Sequence, residues 1–381
     1  MRKVIYICYD PLTARIERDW YIGYLVENGI PVEYWDCSAI FFPDQKFTES
    51  LDRDYMTKIQ SYKDIELRLK RESNPDTAYV MLVVYEFRAF SLYKLLAQHD
   101  CKLYFIRWAF FPHKNKISSK IAKLPAHPLK YFGRLLDKIF IMITKKTSYK
   151  RPFEKVFYAG AAALPAEGEA LKSIPINYQM CDYDSFIFLK NNPKALVKSR
   201  YAVFLDINLP RHPDLRLVKT KSVDENEYFR SINMFFELVE KKYGVEVVVA
   251  AHPHSNYNDT DFNGRKIIKN ETFALVRAAE FVISHHSASM NYAVLNRKPI
   301  VYIYTQEMDR LYSDSAMPFI KGCAEFLNAA IYNVDDITDV DQINIQEVDK
   351  GRYDAYKYAF LISKETENSL SRDIFLKEIT S

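Results

Sequence analysis

Glycine is scarce in this chain, at 9 of 381 residues. Neither G-x-G-x-x-G nor G-x-x-x-x-G-K-[ST] occurs. That removes the dinucleotide fingerprint and the P-loop, both of which need glycine where backbone closes on phosphate. The five cysteines, Cys8, Cys37, Cys101, Cys181 and Cys323, are odd in number and scattered, with no CxxC pair. A disulfide framework and a zinc site are therefore not expected, and a reducing, cytoplasmic compartment is. No segment approaches the ~20 uncharged apolar residues that cross a bilayer. The opening "MRKVIYICYDPLTARIERDW" has too short an apolar run, with charges too close behind it, for a signal peptide. The chain reads as soluble, or at most peripheral at the inner face of the plasma membrane. A large excess of one charge is missing as well: the formal net charge is +4. No nucleic-acid recognition motif accompanies it, so nucleic acid is not expected as a partner.

What is present is an apolar fraction of 48% and a high aromatic fraction of 15%. That composition is globular, and the length calls for two domains. Short β-prone runs alternate with helical periodicity: Lys3–Cys8, Val32–Trp35, "YVMLVVY", "KLYFIRW" and "EKVFYAG" in the first half, then "YAVFLDINLP", "VEVVVAAHPHS" and Phe281–Ile283 in the second. Strand–helix alternation of this kind predicts parallel, doubly wound sheets. The expected fold class is α/β with two Rossmann-like domains facing a cleft. The boundaries fall at 1–185, 186–350 and a helical tail, 351–381, that packs back onto the first domain. Residues Gln45–Pro75 are charged and irregular, and read as a peripheral helical excursion.

Charge is unevenly spread. Between Lys114 and Arg151 many Lys and Arg residues face Asp137 as the one carboxylate, interleaved with Ile, Leu, Tyr and Phe. Such a segment suits an anionic lipid surface or a phosphorylated acceptor. It suits equally a solvated helix whose apolar side packs on its own domain.

The chemistry concentrates in the second half. In "FVISHHSASMNYAVLNRKPIVYI" a short buried strand hands over to a helix through Ser284-His285-His286-Ser287, and a second strand follows. Two more strand ends carry polar residues, Asp206-Ile207-Asn208 and His252-Pro253-His254. In a parallel sheet these ends share one edge, where ligands bind. A helix starting near Ser287 offers free N–H groups to an anion, and Ser287 and Ser289 can add hydroxyls. Pro253 fixes the chain direction beside His252. An ordinary N-cap explains Ser287 on its own, and His285 and His286 read equally as loop residues. The pairing with His252-Pro253 is what points to a phosphate site. A metal site from His252, His254, His285 and His286 lacks an acidic partner at the usual spacing, so no metal and no cofactor are expected.

"HPHS" followed by the Phe281–Ile303 stretch resembles the His-Pro and Ser-Ser/Thr motifs of bacterial GT-B glycosyltransferases that use CMP-activated acidic sugars, the sialyl-, polysialyl- and Kdo transferases. "FLDINLPRHPDL" and "MCDYDSF" are similar to segments of surface-polysaccharide transferases. The resemblance spans Gln179 to Thr305. It implies that His252 contacts the donor phosphate and that Ser287 and Ser289 bind phosphate near the helix start; the strand-end residues Asp206, Pro253, Ser284, His285 and His286 complete the expected donor-binding set. It also implies a glycan or lipid-linked acceptor on the first domain, metal-independent. CDP-glycerol transferases share the pattern, and a UDP-sugar donor stays open. The sequence departs from the resemblance in lacking an acidic Asp/Glu-Asp/Glu-Gly motif for the base. Candidate bases are carboxylates at strand ends, Asp10 and Glu86, with Asp36 beside them. A sugar-nucleotide epimerase and a non-catalytic scaffold are the other readings. The epimerase lacks its expected glycines and carboxylates in "SHHSASMNYAV".

Overall fold

The structure, a computed structural model, describes residues 3–45, 47, 50–71, 76–107, 111–112, 151–177, 183–190, 195–211, 221–253 and 255–381. Most of the basic segment Lys114–Arg151, His254 and part of "MCDYDSF" lie outside the described residues. The described chain divides into two compact units. The first runs to Arg107, resumes at Arg151, ends at Asn177 and then takes Ile362–Ser381; the second comprises Phe111, Pro112 and Tyr183–Leu361.

The first unit is a sheet of seven strands: β1 Val4–Cys8, β2 Val32–Asp36, β3 Met56–Lys58, β4 Ala78–Leu82, β5 Lys102–Ile106, β6 Phe153–Ala159 and β7 Ala170–Ile176. Their order is β3-β2-β1-β4-β5-β6-β7, and every pairing is parallel. The run Val4–Cys8 is apolar at all five positions because both its faces are covered. Val4, Tyr6 and Cys8 enter one core cluster, while Ile5 and Ile7 enter the other. That is the period of two expected of a strand. Burying each such isoleucine contributes about 1.5–3 kcal/mol.

The last helix, Ser371–Thr380, belongs to this unit, with Phe375 and Ile379 fully buried in its core. Phe375 lies 4.8 Å from Phe157, centroid to centroid. Asn177 anchors the segment leading into that helix. Its side-chain amide donates to the carbonyls of Thr366 (3.0 Å) and Ser369 (2.7 Å), and its Oδ1 accepts from the Thr366 hydroxyl (2.8 Å). The preceding helix, Lys350–Tyr356, stays with the second unit.

The second unit holds six strands: β8 Tyr201–Leu205, β9 Glu246–Ala251, β10 Ile267–Lys269, β11 Val282–Ser284, β12 Ile300–Tyr304 and β13 Ala330–Asn333. Their order is β10-β9-β8-β11-β12-β13, again parallel throughout. This is the doubly wound order, with its reversal between β8 and β11. The helix Glu225–Tyr243 crosses from β8 to β9. Asp224 caps its start by accepting from the Glu227 N–H at 2.9 Å, and Gly244 ends it in the left-handed region at φ 60°.

The inner strands fall where the apolar runs place them. The edge strands β3, β7, β10 and β13 carry no such signal. The three-residue β3 and β10 and the four-residue β13 are only half-buried or exposed, and β7 contains Pro175. Proline tolerates an edge but not an inner position. The stretch Gln45–Pro75, read as a helical excursion, holds edge strand β3 as well as the helix Tyr62–Arg71.

Candidate active site

The carboxyl ends of β8, β9 and β11 gather the polar residues of the second unit at the reversal of strand order. Asp206 follows β8 and is 5% exposed. Its Oδ1 accepts from the Asn208 N–H at 2.7 Å. Its Oδ2 accepts from the His252 N–H at 3.0 Å and the Tyr257 hydroxyl at 2.7 Å. Burial raises its pKa above the ordinary carboxylate value, against the pull of those donors. Asp206 is thus a brace tying the β8 loop to the β9 loop. It presents no free face to a ligand, contrary to its expected place in the donor-binding set. Tyr257 is the partner that sequence reading passed over, since nothing in "HPHSNY" marks a tyrosine aimed at a carboxylate one strand away.

His252 is half-buried and Pro253 exposed. The turn they start is closed by Ser255, whose N–H and hydroxyl both donate to the His252 carbonyl, at 2.9 and 2.7 Å. His252 therefore stands on a loop held from both sides, by Asp206 at its N–H and by Ser255 at its carbonyl.

After β11 the two histidines part company. His286 is exposed, whereas His285 is fully buried. His285 Nδ1 lies 2.7 Å from the Ile303 carbonyl and Nε2 lies 2.8 Å from the Tyr228 hydroxyl. A carbonyl only accepts, so Nδ1 carries the proton and Nε2 accepts from Tyr228. Burial pushes its pKa down to about 4. A ring with both nitrogens committed inside the core cannot bind a ligand, and His285 leaves the predicted donor-binding set for that reason.

The turn itself is Ser287-Ala288-Ser289, half-buried. The Ser287 hydroxyl accepts from the Ser289 N–H at 3.3 Å, and the Met290, Asn291 and Tyr292 N–H groups reach back three residues to carbonyls. The helix that follows, Met290–Leu295, has six residues. The sequence suggested a helix start with a serine cap; the structure gives a tight turn in which Ser289 makes no side-chain cap bond. The Ser289, Met290, Asn291 and Tyr292 N–H groups are therefore engaged within the turn itself, and so short a helix has little dipole to offer. Ser284, one strand residue earlier, is fully buried, and its hydroxyl has no partner among the described residues.

A cavity of about 730 Å³ opens beside the starts of the helices Glu225–Tyr243 and Gln306–Leu311, lined by Asp224, Tyr228, Arg230, Thr305, Glu307 and Asp335 among others. Tyr228 joins this cavity to His285 and the β11 turn.

In the first unit the strand order reverses between β1 and β4. Asp10 follows β1 and is exposed, and no described residue pairs with its carboxylate. Although the residue is exposed, neighbouring protein partly desolvates its carboxyl group, and that together with the nearby Asp36 raises its pKa above the usual value. Asp36 is buried, its Oδ1 accepting from the Ser38 N–H at 2.9 Å. Glu86, four residues beyond β4, is occupied: Tyr9 donates to its Oε1 at 2.9 Å, and Arg88 donates from Nε at 3.0 Å and from a terminal nitrogen at 2.6 Å. Arg88 also lies 5.9 Å over the Tyr9 ring and 5.6 Å over Phe42. Among the described residues, no group of three or more His, Cys, Asp or Glu could hold a metal ion, and no helix is long and apolar enough to cross a membrane.

No protein-family model matches the chain, and no curated protein does. Solved structures match along its whole length. The calicheamicin glycosyltransferase CalG4 superposes with a TM-score of 0.52 at 8% identity, covering 100% of this chain and 97% of that one. The glycotransferase of kitacinnamycin gives 0.51 at 10% identity, covering 100% and 99%. The fold is GT-B. In a GT-B chain the edge carrying His252 and the Ser287–Ser289 turn belongs to the C-terminal Rossmann-like unit, and the edge carrying Asp10 and Glu86 to the N-terminal one.

Proposed function

We propose that the chain is a glycosyltransferase that binds a nucleotide-activated donor on its second unit and an acceptor on its first. One observation carries the reading: next to the strand-order reversal of the second sheet, a half-buried His252 on a doubly fastened loop shares the carboxyl edge with the Ser287–Ser289 turn. A histidine and two serine hydroxyls are suitable partners for donor phosphate oxygens. The 730 Å³ cavity is within the size range of small-molecule sites and has room for the nucleoside.

The motif resemblance favours a CMP-linked acidic sugar, a nonulosonate or Kdo, with CDP-glycerol and UDP-sugars as the alternatives. The acceptor in this reading is a surface glycan or lipid-linked precursor. The basic segment Lys114–Arg151 would hold the enzyme at an anionic membrane surface.

For the chemistry, the acceptor hydroxyl oxygen forms the new bond to the anomeric carbon. The bond from that carbon to the phosphate oxygen breaks, and its electron pair stays on the phosphate. The hydroxyl proton goes to a carboxylate, and Asp10 is the better base of the two candidates. Its carboxylate has no partner among the described residues and its pKa is raised, whereas Glu86 is tied to Arg88 and Tyr9. His252, Ser287 and Ser289 take up the charge that develops on the leaving phosphate.

The test is direct. The purified chain is incubated separately with CMP-N-acetylneuraminate, CDP-glycerol and UDP-glucose, and the CMP released from either of the first two, or the UDP released from the third, is followed by chromatography. Release of one nucleotide, lost in His252→Ala, supports the reading. Release equal in wild type and variant would place the chemistry elsewhere.

A further inference from the structure

Buried polar atoms normally have partners, and those that lack them call for a reason. In the second unit two such atoms sit on neighbouring strand ends. Asn208 Oδ1 follows β8, and Ser284 Oγ ends β11; the residues are 2% and 0% exposed, and neither atom has a partner among the described residues. β8 and β11 are paired, with Ser284 level with Leu205, so both positions belong to the reversal point itself. Asn208 is held there at φ 52°, a left-handed conformation that asparagine tolerates, and its N–H is fastened to Asp206 at 2.7 Å. The fold thus fixes two hydrogen-bonding groups where open α/β sheets take their ligands, and leaves both unsatisfied.

We infer that Asn208 and Ser284 form a subsite that reads a hydroxyl of the nucleotide-activated donor, an inference that rests on the donor reading above. The chemistry selects a hydroxyl over a phosphate. The unpartnered atom of Asn208 is an acceptor, which needs an O–H that an ionised phosphate lacks. A hydroxyl both donates and accepts, so it satisfies the amide whichever way round that group lies. The Asp206 carboxylate, bonded to the backbone of the same residue, would also repel an anion placed on Asn208. Phosphate is left to His252 and the Ser287–Ser289 turn. Because both atoms are covered in this structure, the subsite engages as the donor enters and the covering groups give way. The hydroxyl can belong to the ribose or to the transferred group.

Two small substitutions test this without disturbing the backbone. Ser284→Ala removes only the unpartnered oxygen, and Asn208→Gly removes the amide while keeping a residue at ease with positive φ. Removing an unsatisfied buried hydroxyl does not destabilise, so the melting temperature of unliganded Ser284→Ala should be unchanged or raised. Calorimetric titration then compares CMP, CDP and UDP with CMP-N-acetylneuraminate, CDP-glycerol and UDP-glucose. Each variant should bind the donor that wild type prefers about threefold to tenfold more weakly. Weakening already seen with the free nucleotide assigns the ribose hydroxyl; weakening confined to the complete donor assigns the transferred group. Wild-type affinity in both variants would overturn the subsite while leaving the donor reading intact. A wild-type chain that binds none of the six would overturn the donor reading, and the subsite with it.

Discussion

The buried His285 makes the second unit acid-sensitive in a way that can be worked out in advance. In the unfolded chain its imidazole titrates near the ordinary value of 6.5, and in the folded chain burial holds it at about 4. Above about pH 6.5 both forms are neutral and the residue contributes no pH dependence. As pH falls from about 6.5 toward 4, the unfolded chain takes up a proton that the folded chain refuses, so stability is lost over that window. At 1.36 kcal/mol per pH unit the full loss is about 3 kcal/mol. For a unit of this size that corresponds to about 6–12 °C in melting temperature. The assay is thermal unfolding from pH 7.5 to 4 for wild type and His285→Gln. Glutamine keeps a donor and an acceptor for Ile303 and Tyr228 but does not titrate. The variant starts less stable, yet its melting temperature should fall less steeply with acid, by the difference just given. Equal slopes would refute the reasoning, as would a His285 ring resonance that titrates near 6.5 in the folded protein.

Three further outcomes follow from the same contacts. Asp10→Asn should lower turnover by about 10²- to 10⁴-fold while leaving donor affinity unchanged, and Glu86→Gln should keep most of its turnover; the reverse pattern in the same assay would make Glu86 the base. Tyr257→Phe removes a hydroxyl that donates to a buried carboxylate, and urea unfolding should show a loss of about 1.5–3 kcal/mol. Asn177→Ala deletes three side-chain hydrogen bonds to the segment before the last helix, at about 3 kcal/mol in sum. Limited proteolysis should then cut near Ile362–Leu370 faster than in wild type, and an unchanged cleavage rate would show that Phe375 and Ile379 hold the helix unaided.

The fold was legible wherever burial writes itself into composition. Val4–Cys8, Tyr201–Leu205 and Val247–Ala251 are apolar because both faces of an inner parallel strand are covered. Edge strands answer to one neighbour and partly to water, so Met56–Lys58 and Ile267–Lys269 are three residues long, half-buried or exposed, and too short to stand out as apolar runs. The site was legible at the level of the sheet edge but not of the side chain. That Asp206, His252 and Ser287 share an edge follows from strand ends alone. That Asp206 faces inward to Tyr257 and His252 N–H depends on a hydroxyl 51 residues away. His285 and His286 are neighbours with opposite fates, because one continues the strand into the core and the other begins the turn. A motif of two histidines does not carry that difference; the register of β11 does.

The central claim is that the second unit binds a nucleotide through His252. The most direct test is calorimetric titration of the purified protein with CMP, CDP, UDP and GDP under identical conditions, repeated with His252→Ala. The account predicts selective binding of a cytidine nucleotide, CMP foremost, that the variant loses while keeping its melting temperature. Binding of UDP or GDP in preference would contradict the cytidine assignment. No binding of any of the four, or equal binding by wild type and variant, would contradict the donor site itself.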